Sequence, residues 1–289
     1  MNSNQFTIGT DIEKFVVDAE GNSVSVEGKL GGSKKEPLDI GNGCNRQEDC
    51  VLAEFGTPPV MYGEADKFID YLKYCSKIGS EILNKQGLYL LAGSSRTFNK
   101  KELFTEQAMT FGCDPSYNVY TRSLSVIPSP EEVGNLRSAG FHIHIGFPKN
   151  TYSTEFEYIQ ATEKIIKLMD LYLGVPSIIM DMDTERRKIY GKPGDFRYRF
   201  VGDDIFVLEY RSLGGGLLGS EESIRYVFNQ TCKVIDTFIN GEEVPQKLES
   251  DIQNCIMAND LTQAKDIIQK MNLEMPKVRV FEENLVYEN

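Results

Sequence analysis

The chain has two histidines, His142 and His144, and they stand two residues apart in the alternating run GFHIHIG. In a strand that spacing puts both imidazoles on one face of a sheet. The same spacing recurs in TDIEKF, with Asp11 and Glu13, and in LEYRSL, with Glu209 and Arg211. QEDCVLAEF adds Asp49 and Glu54. Alone, GFHIHIG reads equally well as a hydrogen-bonded histidine pair on a half-exposed strand. The parallel pattern elsewhere tips the balance, because carboxylates sharing a strand face repel unless water or a cation separates them. Oxygen donors with imidazole suit Mg2+ or Mn2+. Zinc would call for HExxH or paired cysteines, and the six cysteines form no CxxC. The candidate metal ligands on these segments are Asp11, Glu13, Asp49, Glu54, His142, His144 and Glu209.

Arginines gather in the same half of the chain: Arg186, Arg187, Arg197, Arg199 and Arg211. A planar guanidinium suits a transferring phosphate, while surface charge is the plainer reading for Arg199. YGKPGDFR sets a glycine-flexed turn with Lys192 between these groups, and the glycine-rich loop LGGSKKEP carries Lys34. Arg186, Lys34 and Lys192 are the expected nucleotide contacts; Arg187, Arg197 and Arg211 are the expected catalytic arginines. There is no GxxxxGK[ST], no strand–GxGxxG–helix, no GxSxG and no HRD or DFG set. A nucleotide would have to be held by metal and arginine over a sheet.

The elements that must position these groups read as follows. Gln5 to Val17, Val51 to Phe55, Leu88 to Ala92, Phe141 to Phe147 and Ile205 to Arg211 read as strands. Glu64 to Leu83 has a helical period, and Thr154 with Glu157 forms a capping box opening a helix to about Leu173. Ser177 to Tyr190 is expected as a second helix, and the last part, from about 220 to 289, as mostly helical. Residues 94 to 138 read as a long loop, a candidate lid. Strands and helices without βαβ regularity predict an α+β fold with an antiparallel sheet, and no linker divides residues 1–289, so one domain is expected.

Composition narrows the partners. A net charge of −12 disfavours a nucleic-acid scaffold. No basic-then-apolar leader opens the chain, and no apolar stretch is long enough to span a bilayer, so a cytoplasmic, membrane-free protein is expected.

Six segments in order, GTDIEKF, GGSKKEP, QEDCVLAEF, AGFHIHIG, ERRKIYGKPGDFR and LEYRSLGG, resemble the phage-type (phiEco32-like) carboxylate–amine ligases, or amidoligases, of the glutamine synthetase-like superfamily. The match runs from residue 8 to about 216. It differs from the usual DPEF opening at Ile12 and Lys14, and from the usual DNV motif at Cys50.

The resemblance implies a glutamine synthetase-like catalytic fold: a curved antiparallel sheet, helices on one face, and ATP held through divalent ions. It also implies that His142 is the likelier of the two histidine ligands, and that Arg211 meets phosphate beside Glu209. The implied reaction is ATP- and Mg-dependent amide formation through an acyl phosphate, joining a small-molecule or peptide carboxylate to an amine in the cytoplasm, host cytoplasm if phage-encoded. The superfamily includes ring-forming enzymes, so a homo-oligomer is compatible. The alternatives are a phosphotransferase on the same fold and a catalytically inactive phage binding or inhibitor protein.

Overall fold

The computed structural model describes residues 1–109, 116–126 and 128–275. Among them, one antiparallel sheet dominates. Its strands lie in the order Ser123–Leu124, Tyr117–Asn118, Asp195–Val201, Ile205–Tyr210, Phe141–Pro148, Thr7–Val17, Leu52–Gly56, Cys44–Asp49 and Leu38–Gly41. Ser23–Val24, Val60–Met61 and Tyr89–Leu91 also pair with Thr7–Val17, which is the sheet's hub.

Strand alternation divides the chemistry between two faces. Ile8, Ile12 and Val16 of the hub strand, Phe141, Ile143, Ile145 and Phe147 of the histidine strand, and Phe206, Leu208 and Tyr210 of the next are all buried in one core. Their neighbours on the opposite face are Asp11, Glu13, His142, His144 and Glu209. Burying each large aliphatic or aromatic side chain contributes about 1.5–3 kcal/mol, so this core fixes the register that aligns the polar face.

Helices cover the apolar face. Ala65–Leu83 buries Phe68, Ile69, Leu72 and Leu83, a three-to-four-residue spacing. It packs against Glu221–Ile239, with the rings of Phe68 and Phe228 5.1 Å apart. Gly79 permits the close approach to the sheet: a Cβ there would stand 2.5 Å from Phe55 Cζ. Thr154 and Glu157 form the expected capping box at Glu155–Met169. That helix runs on through a π-helical turn, Asp170–Gly174, into Val175–Met180. The buried Asp170 carboxylate accepts a 2.7 Å bond from Tyr210 Oη, tying the helix layer to the strand that carries Glu209. Burial pushes its carboxyl up to about 7.

Several expectations are corrected. Ser177 to Tyr190 is not one helix; Val175–Met180 ends at Asp181, and only Arg186–Ile189 is helical beyond. Asp181 and Asp183 interrupt it by accepting hydrogen bonds from Ser94 and Ser95, and from the backbone N–H groups of Asp183, Glu185 and Arg186. Asp195–Val201, directly after the expected glycine-flexed turn at 191–194, is a strand that the sequence reading did not assign. The 94–138 stretch holds structure of its own, including a two-strand pair, Ser95–Thr97 with Leu136–Ser138, and two strands of the main sheet. Its Phe98, Leu103 and Ala108 form a small second core with Phe15 and Leu52. The C-terminal part is helical over Glu221–Ile239, Gln246–Ala258 and Leu261–Lys270. The expectation for 276–289 lies outside the described residues, as does Cys113. No helix among the described residues is long and apolar enough to cross a membrane.

Candidate metal centre

The strand register places the expected acids side by side. Asp11 lies opposite His142, Glu13 opposite Glu54, His144 opposite Glu209, and Glu209 opposite Arg197. A two-residue turn at Cys50-Val51, with Cys50 at φ 57°, returns the chain so that Asp49 and Glu54 share this face. Two clusters result. Asp11, His144 and Glu209 bring one ligand atom each to within 4.8 Å of one another, and Glu13, Asp49 and Glu54 do the same.

Within the first cluster, His144 Nε2 lies 3.4 Å from Asp11 Oδ2 without a directed hydrogen bond, although it is buried. Together with Glu209 these atoms are close enough to one another to share one ion. His142 has a different place. Its Nδ1 is 2.8 Å from Asp11 Oδ1 and 3.8 Å from Glu209 Oε1, and it belongs to neither cluster. Burial, then the Arg211 charge, hold its imidazole below the usual range, so the neutral ring donates Nδ1–H to the Asp11 carboxylate. Its ring lies against Gly140, where a Cβ would stand 2.3 Å from Nε2. Thus His144 joins a cluster, and His142 orients the carboxylate of Asp11.

The second cluster is braced from both sides. Gly140 N donates to Glu13 Oε2 at 2.5 Å, and Gln47 Nε2 donates to Glu54 Oε2 at 2.7 Å. Sequence reasoning missed Gln47, though it stands two residues before Asp49, the spacing used for the other pairs.

Electrostatics point the same way. At the 4.8 Å limit of these clusters, two like charges repel by roughly 3 kcal/mol at an effective dielectric of about 20. Burial, then Asp11, Glu13 and Asp49, hold Glu54 well above the usual carboxylate range. Burial raises Glu13 as well, with Asp49 and Asp11 adding to it against His142. Burial and Asp11 push Glu209 up to about 7. For Asp11, burial works upward, but His144 and His142 win and hold it well below the usual range. His144 is raised, its burial outweighed by Asp11. A divalent cation in each cluster would reverse the penalty that burial and repulsion impose, and three oxygens, or two oxygens and one imidazole, fit Mg2+ or Mn2+.

The arginines divide. Arg211, 2% exposed, contacts Glu209 Oε1 through Nη1 and Tyr190 Oη through Nη2. Its guanidinium lies 5.3 Å from the Tyr190 ring centre. Arg197 faces Glu209 in register. Arg186 donates to the carbonyls of Ala139, Ser212 and Arg211 at 3.1, 2.8 and 3.1 Å, so its guanidinium is engaged by backbone. Arg187 turns toward the helices, donating to Asn259 Oδ1 and Ser177 Oγ, both at 2.9 Å.

Lys34 is exposed on its loop at the far edge of the sheet. The N–H groups just before it, Gly28 to Gly31, wrap the Glu48 carboxylate at 2.6–3.0 Å, so that anion nest is filled from within. Lys192 is held by its backbone, its N–H donating to Asp195 Oδ2 and its carbonyl accepting from Ser212 Oγ.

No protein-family model matches the chain, and no curated protein matches it. Among solved structures it has overall likeness to GmaS without ligand, at 10% identity over 93% of this chain and 69% of that chain, TM-score 0.43. It is also similar to PafA, the ligase of the prokaryotic ubiquitin-like protein Pup, in complex with Pup, at 10% identity over 95% and 71%, TM-score 0.41. GmaS with ADP is a further such structure, at 11% identity over 93% and 69%, TM-score 0.39. At this level of likeness, the chemistry of the site rests on this chain's own residues.

Proposed function

We propose that this chain is a glutamine synthetase-like ATP-dependent ligase that joins a carboxylate to an amine. The observation carrying this reading is the pair of acid clusters in register on one sheet face, with Arg211 and Arg197 beside Glu209. Asp11, His144 and Glu209 would hold one Mg2+ or Mn2+, and Glu13, Asp49 and Glu54 another. When bound, the ions supply charge neutralisation on the phosphates of ATP.

The chain's own residues set the rest. His142 fixes the orientation of Asp11, Gly140 N and Gln47 fix Glu13 and Glu54, and Tyr190 fixes Arg211. Arg211 and Arg197 meet the charge on the transferring phosphoryl group. A substrate carboxylate oxygen attacks the γ-phosphorus and ADP leaves, giving an acyl phosphate. An amine nitrogen then attacks the acyl carbon, phosphate departs, and the amine proton is released. The acyl phosphate must be kept from water, and the 94–138 stretch, whose Phe98 and Leu103 pack in a small core with Phe15 and Leu52, is the candidate cover.

The test is ADP release by the purified protein with ATP and Mg2+ across pooled carboxylates and amines, followed by mass spectrometry. Amine-dependent ADP release, with a product lighter than its two substrates by one water, supports the ligase. A stable phosphorylated product formed without an amine would replace it with a phosphotransferase. Absence of both turnover and ATP binding would replace it with a non-catalytic binder.

A further inference from the structure

Gly56 stands directly opposite Asp11 on one neighbouring strand and directly opposite Asn45 on the other. Directly opposed residues share a face, so Asn45, Gly56 and Asp11 form a row across the polar side of the sheet. Glu54, two residues before Gly56 on the same strand, shares that face. The bare Cα of Gly56 is therefore floor beside both acid clusters, since Asp11 belongs to one and Glu54 to the other.

Asn45 leans over that floor. A Cβ at Gly56 would stand 3.0 Å from both Nδ2 and Oδ1 of Asn45 and 3.3 Å from its Cγ. Nitrogen and oxygen equally near, with the carbon behind them, is an amide met edge-on, so one donor and one acceptor border the space above the glycine. Asn45 is half-buried, and its amide has no hydrogen-bond partner among the described residues. Its neighbours on this face are engaged: Gln47 donates to Glu54 Oε2 at 2.7 Å, and His142 Nδ1 to Asp11 Oδ1 at 2.8 Å. The hairpin that carries Asn45 is held in place. A Cβ on its turn residue Gly43 would lie 3.4 Å from Pro58 Cβ, and Tyr74 Oη donates to the Ile40 carbonyl.

We propose that Asn45 is a specificity-determining residue for the carboxylate substrate, pairing edge to edge with a primary carboxamide that the substrate carries. A neutral edge with one donor and one acceptor matches a carboxamide, which offers one of each side by side. An ammonium has no acceptor and a carboxylate no donor, so either leaves half of the Asn45 edge unmet. Neighbouring strands lie about 4.8 Å apart, so a carboxamide above Gly56 puts a carboxylate roughly two or three carbon atoms away beside Asp11. Gly56 leaves the room, because a side chain there would occupy the ligand's place. The assignment rests on the ligase reading only in taking that carboxylate as the reacting group.

The probe is succinamate, with levulinate as a counterpart of the same shape that lacks the N–H, titrated calorimetrically into the full chain with and without Mn2+. With Mn2+, succinamate is expected to bind about tenfold or more tightly than levulinate, because a site that pairs an N–H rejects the analogue lacking it. Asn45→Leu is expected to make the two equal, and Gly56→Ala to weaken succinamate by about tenfold or more. Both variants are expected to keep Mn2+ affinity within about twofold, which separates loss of the ligand from loss of the fold or of the clusters. Absence of succinamate binding to the parent chain, or equal affinity for the two probes, overturns the proposal. So does a preference that survives Asn45→Leu, or glutamate binding more tightly than succinamate, which would give the edge to an amino-acid head. Binding is read without ATP, so a parent chain that prefers succinamate yet turns nothing over removes the ligase reading and leaves the Asn45 assignment standing.

Discussion

Glu13 and Glu54 stand directly opposite one another on neighbouring antiparallel strands, and both belong to one cluster with Asp49. Like charges at directly opposed positions destabilise a sheet, the more so when buried. Glu54→Gln is therefore expected to raise the stability of the metal-free protein by about 1 kcal/mol or more, because it removes one charge and keeps a hydrogen-bonding amide. The same change removes a proposed ligand. Urea unfolding with and without Mg2+ tests both parts: the parent gains stability with the ion, and Glu54→Gln gains less. Equal gains in the two proteins would remove Glu54 from the metal site.

The raised acids also set a pH dependence. Glu209 titrates at about 7 when folded, pushed up by burial and Asp11 from the ordinary value of 4.5. The folded state thus holds a proton that the unfolded chain has released, so stability falls as pH rises from the ordinary carboxylate range through 7. Glu13 and Glu54 act in the same direction. Asp11 acts oppositely, its contribution being lost in acid below the ordinary range. Between pH 5 and 8 the metal-free protein is expected to lose roughly 3 kcal/mol through Glu209. Saturating Mg2+ is expected to flatten the profile, since the cation replaces the protons. Unfolding curves at pH 5, 6, 7 and 8 check the slope, and a metal-free stability that rises over this range would contradict the charge arrangement.

His142 and His144 differ in what their rings meet, and the difference is measurable. His144 Nε2 approaches Asp11 within a cluster, whereas His142 Nδ1 holds the other oxygen of Asp11. An asparagine amide can replace an Nδ1–H donor, so His142→Asn is expected to keep Mn2+ affinity within a few-fold. His142→Phe is expected to lower it about 10–100-fold, the usual cost of losing a group that orients a ligand. His144→Asn is expected to lose affinity as a ligand deletion does. Calorimetric Mn2+ titrations of the three variants separate the roles. Loss in His142→Asn as large as in His144→Asn would make His142 a ligand, as the sequence first suggested.

The sheet half of this site was legible because polar residues at i, i+2 interrupt otherwise apolar strands, as in FHIHI and VLEYR. Strand alternation then forces one shared face, whatever the details of packing. Asp195–Val201 carried the same signal, with Arg197 and Arg199 alternating against Phe196, Tyr198 and Phe200, but the glycines and proline before it drew attention to a turn. Which way the arginines point was not legible. Arg186 and Arg187 are adjacent on a single short helical turn, so small differences in where the turn starts decide which carbonyls or hydroxyls each meets. That start is set by Asp183 accepting from the N–H groups of Glu185 and Arg186, and by Ser95 on a distant strand. Tyr190, which contacts Arg211, carried no local pattern at all.

Arg186 and Arg211 should therefore respond differently to substitution. Arg186 satisfies three backbone carbonyls from a fully enclosed position, and Gly191 leaves no room beside it, since a Cβ there would stand 1.7 Å from Nη1. Arg186→Met leaves those buried acceptors without donors, at about 1–3 kcal/mol each when no water can enter. A loss of about 3 kcal/mol or more in overall stability is expected, and Arg186→Lys is expected to rescue little, because one ammonium cannot span the fork. Arg211→Lys keeps a cation beside Glu209 but gives up the second prong to Tyr190, and is expected to lose less stability than Arg186→Met. On the proposed reading it loses the planar donor that meets phosphate, and turnover falls about 100-fold or more with a smaller change in ATP affinity. Thermal unfolding paired with ADP-release kinetics checks the division. An Arg186→Met protein that is stable but inactive would return Arg186 to the nucleotide, and an Arg211→Lys protein with parent-like turnover would remove Arg211 from it.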